Sequence, residues 1–228
     1  RDCPLEVKFR RETGMQPLPT PMRGGSLSEL WGIVNLRTEA DRTLVATWLV
    51  AALRVRGACP FLVVKGDHGA AKSTFGRFLL DLIDPGVGLR VMPGSHRDLM
   101  ISAVNSWILG FDNLSSISDE TSDMMCRLVT GAAFTTRKLH TNESEVVLRA
   151  RRPILVNSIA DVVTRPDLLS RSIIVTLSGI DKRSRRSDRE VEAAYEAARP
   201  RILGVLLDAV ACALRKLPLV RLGSLPRM

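Results

Sequence analysis

Val63-Val64-Lys65-Gly66-Asp67-His68-Gly69-Ala70-Ala71-Lys72-Ser73-Thr74 is the stretch on which the fold turns. A short apolar strand enters a glycine-containing loop, and Lys-Ser-Thr opens a helix behind it. This is the layout of a phosphate-binding P-loop. A polyphosphate needs several backbone N–H groups pointing inward, so the loop must curl tightly with little side-chain bulk. It also needs a long cation for the terminal phosphates, which suits Lys72, and a hydroxyl beside Mg²⁺, which suits Ser73. The start of the following helix, expected over 74–83, adds partial positive charge. The pattern G-x-x-x-x-G-K-[ST] carries Ala71 where its second glycine would stand. Alanine lacks the freedom of glycine at positive φ, so the loop is expected to close with residue 71 at negative φ. The alternative, a glycine-rich turn between a core strand and a core helix, leaves Lys72 unexplained.

Outward from the loop, all-apolar strands alternate with helices. Strands are expected at 61–65, 107–111, 153–156 and 173–177, with a short candidate at 89–92. Helices are expected at 39–56, 97–105, 122–130 and 167–170, and over 190–217 as one long helix or two, broken near Pro200. Residues 134–140 and 145–148 form a hairpin candidate around Thr141-Asn142-Glu143-Ser144. Fully apolar strands imply a parallel sheet covered on both faces, and such sheets bind ligands at the carboxyl ends of their strands. The expected organisation is an extended arm over 1–39, an α/β core over 40–180, and a C-terminal helical lid from 181 to 228. The chain begins at Arg1 and ends at Met228, which reads as a fragment at both ends.

Net charge is +9 and the isoelectric point is about 10.1, so an acidic partner is expected, nucleic acid first. The other reading is a solvated basic surface. Cys3, Cys59, Cys126 and Cys212 lie far apart without a C-x-x-C pair, as isolated thiols of an intracellular, cytoplasmic protein do. His68, His96 and His140 are scattered and suggest no metal site. The longest apolar stretch, 43–55, is too short to span a membrane.

Three strand ends carry candidate chemistry. Trp107-Ile-Leu-Gly-Phe-Asp112 ends in an acid that can share Mg²⁺ with Ser73, or can instead cap the next helix. Asn113 follows where many such enzymes place a glutamate. An amide orients water but cannot take its proton, so either turnover is slow or Asp119, Glu120 or Asp123 substitutes. Asn157 ends the next strand, where it can face a γ-phosphate or serve as a turn asparagine. Arg165-Pro166-Asp167-Leu168-Leu169-Ser170-Arg171 places arginines where one can reach a neighbouring subunit's nucleotide, or pair with Asp167. Arg137, Lys138 and His140 concentrate positive charge on the hairpin, as phosphate contacts require; the other reading is a solvated hairpin, since Glu143 and Glu145 dilute the charge. The run Lys182-Arg183-Ser184-Arg185-Arg186 reads as a solvated linker with at most weak nucleic-acid binding.

The order of these segments, including Thr130-Gly131-Ala132-Ala133-Phe134-Thr135-Thr136-Arg137-Lys138-Leu139-His140, resembles the AAA+ ATPases. It is most similar to the superfamily 3 helicase branch, the primase-helicases of phages and plasmids. It also resembles bacterial ATP-binding proteins of mobile elements that carry "GEHGSAKST", "DNLS", "LCRLATGGGFATR" and "RPDLLDR". The resemblance spans about residues 5–228. It implies an AAA+-like P-loop NTPase core with a β-hairpin insertion, and ATP held with Mg²⁺ by Gly66, Asp67, His68, Gly69, Ala70, Ala71, Lys72, Ser73 and Thr74. It further implies Mg²⁺ coordination by Asp112, a sensor role for Asn157, a trans-acting finger at Arg171, and a homo-oligomeric ring or arc working on DNA. Ala132-Ala133 replaces Gly-Gly, and the hairpin lacks the aromatic that base stacking would use. Two function classes follow. One is a helicase-like replication motor; the other is a nucleotide-gated switch that hydrolyses ATP slowly. Arg201 and Arg215 are candidates for a second sensor arginine.

Overall fold

The computed structural model describes residues 15–54, 57–137, 145–221 and 223. In chain order the elements are α1 (Leu27–Trp31), α2 (Glu39–Ala52), β1 (Phe61–Gly66), α3 (Lys72–Asp81), α4 (His96–Asn105), β2 (Leu109–Leu114) and α5 (Asp119–Thr130). They continue with β3 (Ala132–Arg137), β4 (Glu145–Ala150), β5 (Ile154–Ser158), α6 (Pro166–Leu169), β6 (Ser172–Leu177) and α7 (Asp188–Lys216). Short 3₁₀ turns at Lys182–Ser184 and Leu217–Leu219 flank α7. The sheet runs β2-β5-β1-β6, and every pairing in it is parallel. β3 and β4 form a separate antiparallel hairpin.

Burial on both faces explains why the central strands are apolar over Phe61–Val64 of β1 and Ile154–Val156 of β5. Leu62 and Val64 of β1 pack into a cluster with α2, α3 and α7. Phe61 and Val63 point the other way, into a cluster with α4, α5 and α6. The buried indole of Trp48 donates to the Pro60 carbonyl at 2.8 Å and seats α2 at the start of β1.

Several boundaries depart from the sequence reading. α3 begins at Lys72, so the lysine is itself the first helical residue. Asp112 and Asn113 lie inside β2, at a register shift between Phe111 and Leu114. Residues 89–92 form no strand: only Arg90 makes a bridge, to Phe111. Ser118 caps α5 and starts it earlier than the apolar pattern suggests.

α7 runs unbroken through Pro200. An interior proline costs a helix about 3 kcal/mol. Here Tyr195 and Ala198 before it, and Ile202, Leu203 and Leu206 after it, are all buried, and that packing outweighs the cost. Tyr195 also stacks on Phe78 of α3, and its hydroxyl donates to Asp81 at 2.9 Å. Arg199 pairs with Asp81, and Arg77 with Glu192. α7 is thereby latched onto the helix that follows the loop.

The N-terminal arm crosses α7 at Pro200 and Gly204. Met22 donates to the Pro200 carbonyl at 2.9 Å. A Cβ at Gly204 would lie 1.9 Å from the Met22 carbonyl oxygen. Gly204→Ala is therefore expected to lower stability by about 1–3 kcal/mol, an overpacking cost. Helix propensity alone would raise stability by about 1 kcal/mol. The urea midpoint decides the sign, and an increase would mean the arm is not seated there.

Candidate nucleotide site

The loop after β1 is shaped by backbone conformation. Gly69 has φ +75° and Ala71 has φ +63°, ψ +32°. Residue 71 is thus left-handed, not at negative φ as expected. The chain must reverse sharply to hand the loop to α3, and it does so despite the Cβ. A left-handed non-glycine costs about 1–2 kcal/mol. Ala71→Gly is expected to recover part of this, about 0.5–1 kcal/mol after the added freedom of the unfolded chain is deducted. A lower midpoint in chemical denaturation would contradict the strained geometry.

α3 begins without a side-chain cap. The Lys72 ammonium folds back across the loop and donates to the carbonyls of Gly66 at 2.6 Å and Asp67 at 2.9 Å. Asp67, His68 and Ser73 are exposed, and Thr74 is half-buried.

Asn157 joins the loop to β2. Its side-chain N–H groups donate to the Lys72 carbonyl and to the Asp112 carboxylate, each at 3.1 Å. The same carboxylate oxygen accepts from the Asn113 backbone N–H at 3.0 Å. Asn157 is fully buried, and its amide oxygen has no hydrogen-bond partner. Asn113 adopts φ +53° and faces solvent. That conformation favours Asn over Glu, because a short polar side chain tolerates it best. Among the described residues, no cluster of three or more His, Cys, Asp or Glu could hold a metal. The oxygen donors here are one hydroxyl, Ser73, and one carboxylate, Asp112. Such a sparse, hard donor set fits Mg²⁺, which keeps several waters and takes phosphate oxygens as its other ligands.

Beside the loop lies a cavity of about 430 Å³. Ile33, Val34, Phe75, Phe78 and Val191 supply its apolar walls. Asn35 also lines it and donates to the carbonyls of Ala70 at 3.3 Å and Ser178 at 2.5 Å. Arg186 holds the 32–33 segment in place through the Ile33 carbonyl at 2.6 Å. None of this was read from the sequence. Residues 31–36 fall inside the expected extended arm, and Asn35 within that apolar run is the signal that points to them.

The remaining candidates sit elsewhere. Phe61 donates to the Arg171 carbonyl at 2.9 Å, which places Arg171 at the amino edge of the sheet. Five strand residues separate that edge from Gly66, roughly 16 Å at the usual rise. The Arg171 guanidinium donates to the Asp167 carbonyl and pairs with its carboxylate. Nearby, burial pushes the Cys126 thiol up to about 11, and Asp167 adds to the effect. Arg165 pairs with Asp119 and, at 3.1 Å, with Asp123. Arg201 pairs with Glu29 of α1 at 2.6 Å, away from the loop. Arg137 ends β3 opposite Glu145. Lys138 and His140 lie outside the described residues.

This architecture has counterparts among solved structures. The NrS-1 C-terminal region superimposes with a TM-score of 0.60 at 12% identity, over 86% of this chain and 48% of that one. JCV helicase does so with a TM-score of 0.50 at 14% identity, over 86% of this chain and 62% of that one. The chain therefore spans about half to three-fifths of the length of these structures. Together with the loop they define the class: an α/β fold of the helicase-like P-loop NTPase type. No curated protein matches the sequence. Residues 27–217 match the family model described as the actinomycete integrative conjugative element replication protein, and the chain belongs to that family.

Proposed function

We propose that this chain is the Mg-ATP-hydrolysing core of its replication protein and acts on DNA as a helicase-like motor. The observation that carries the reading is the Asn157 amide, which ties Lys72 to Asp112 beside the loop. Triphosphate oxygens replace the Gly66 and Asp67 carbonyls as partners of Lys72. The N–H groups of 66–74 enclose the phosphate chain, and the base occupies the cavity walled by Ile33, Phe75 and Phe78. Ser73 and Asp112 hold Mg²⁺, which, when bound, neutralises charge on the transferring phosphate. Asn157 keeps the Asp112 carboxylate aimed at that position. Residues 40–180 make the core, and the segment from 181 closes the base side as a lid. Arg171 serves the nucleotide of an adjacent subunit in a ring or arc. Arg137, Lys138 and His140 meet DNA phosphates, in the cytoplasm. No helix among the described residues is long and apolar enough to cross a membrane.

A second reading is a nucleotide-gated switch. Asn113 favours it, because its left-handed backbone presents an amide where proton abstraction needs a carboxylate. Steady-state ATPase with and without single-stranded DNA separates the two. The motor predicts strong stimulation by DNA. Flat, near-zero turnover in both arms would overturn it in favour of the switch.

A further inference from the structure

Arg185 is a cation beside the loop that the proposed nucleotide site leaves unused. It sits between the 3₁₀ turn Lys182–Ser184 and Ser187, the N-cap of α7. Its guanidinium lies against the phosphate loop: a Cβ built on Gly69 would be 2.9 Å from an Arg185 Nη atom. It lines the 430 Å³ cavity together with Ala71 and Thr74, the residues on either side of Lys72 and Ser73. Arg77, Arg165, Arg171, Arg199 and Arg201 are each paired with a carboxylate. Among the described residues no carboxylate pairs with Arg185, although Asp188 lines the same cavity. The chain is anchored on both sides, by a backbone N–H before it and a side chain after it. Arg183 N–H donates to the Asp181 carboxylate at 2.9 Å, and Arg186 is fixed on the Ile33 carbonyl. The guanidinium is therefore delivered to the loop by an anchored segment and keeps its donors for a ligand.

We infer that Arg185 binds the phosphate chain of the nucleotide as a second cation beside Lys72. A triphosphate carries more negative charge than Lys72 alone can match. A guanidinium presents several N–H donors in a fixed fork, which suits phosphate oxygens. Because Arg185 stands two residues before the α7 cap, the same contact ties nucleotide occupancy to the start of that helix. The inference rests on the nucleotide reading above.

The test is displacement of a fluorescent N-methylanthraniloyl-ATP by ATP, ADP and AMP, on wild type, Lys72→Ala, Arg185→Ala, Arg185→Lys and Arg183→Ala. Arg185→Ala is expected to weaken ATP about 10- to 100-fold, the range for losing a hydrogen bond to a charged group. AMP should change little, so the ATP-to-AMP preference collapses. Arg185→Lys should retain part of it, and Arg183→Ala should match wild type. The melting temperature without nucleotide should be the same for all. Wild-type ATP affinity in Arg185→Ala overturns the inference, as does an equal loss for ATP and AMP, which would mean a contact to base or ribose. Absence of ATP binding by wild type, or its persistence in Lys72→Ala, defeats the nucleotide reading and the inference with it.

Discussion

Lys72→Ala is expected to lower ATP affinity by at least about 100-fold while the fold stays intact. The ammonium already makes two charge-assisted hydrogen bonds to loop carbonyls, so its reach and position are set before any ligand arrives. Hydrogen bonds to charged groups contribute about 1.5–3 kcal/mol each, and two of them correspond to a hundredfold or more in affinity. The loss to the unliganded fold is small, because the carbonyls of Gly66 and Asp67 lie where water can replace the lysine. Fluorescent-nucleotide titration beside thermal unfolding checks both halves. Equal ATP affinity in variant and wild type would remove Lys72 from the site.

Arg171→Ala is expected to leave ATP affinity unchanged and to lower hydrolysis by about 1,000-fold or more, the range for a lost arginine finger. Arg171 stands at the amino edge of the sheet, and its own loop stands at the carboxyl edge. As the proposed finger, it would serve the nucleotide of another subunit, through a heterologous interface that builds a ring or arc. Its Nε is buried without a partner, while its Nη1 holds Asp167, so the proposed assembly would exchange the Asp167 contact for phosphate oxygens. Mixing Arg171→Ala with Lys72→Ala should restore part of the activity, since some junctions then pair an intact loop with an intact finger. Arg165, engaged by Asp119 and Asp123, is the rival and belongs in the same experiment. Normal turnover by Arg171→Ala, at a rate per subunit independent of protein concentration, would leave Arg171 as the partner of Asp167 alone.

Local patterns carried the sheet, since each central strand is a short apolar run with a polar residue at its carboxyl end. They carried the loop as well, because phosphate-binding geometry restricts residue types at fixed spacing. The conformation of Ala71 was not legible: a rule about Cβ sterics predicts negative φ, and the closure of the loop overrides it. Pro200 misled in the same direction, because a local penalty was outweighed by burial on either side of it. The Asn157 clamp joins residues 85 and 45 positions apart, and nothing local announces such a contact. The cavity beside the loop is assembled from 33–37, 69–78 and 180–191, so its walls appear only once α7 has docked on α3. Residues 183–186 are exposed, in keeping with the solvated reading of that run, but the approach of Arg185 to Gly69 and of Arg186 to Ile33 was not legible, because these neighbours in space are far away in sequence.

The structure of the protein bound to Mg²⁺ and a non-hydrolysable ATP analogue tests the central claim most directly. The account predicts the triphosphate on the N–H groups of 66–74, with Lys72 turned from the loop carbonyls onto the β- and γ-phosphates. It places the metal between Ser73 and Asp112, and the base against Ile33, Phe75 and Phe78. A nucleotide bound elsewhere, or Lys72 still held by Gly66 and Asp67 in the occupied complex, would contradict it.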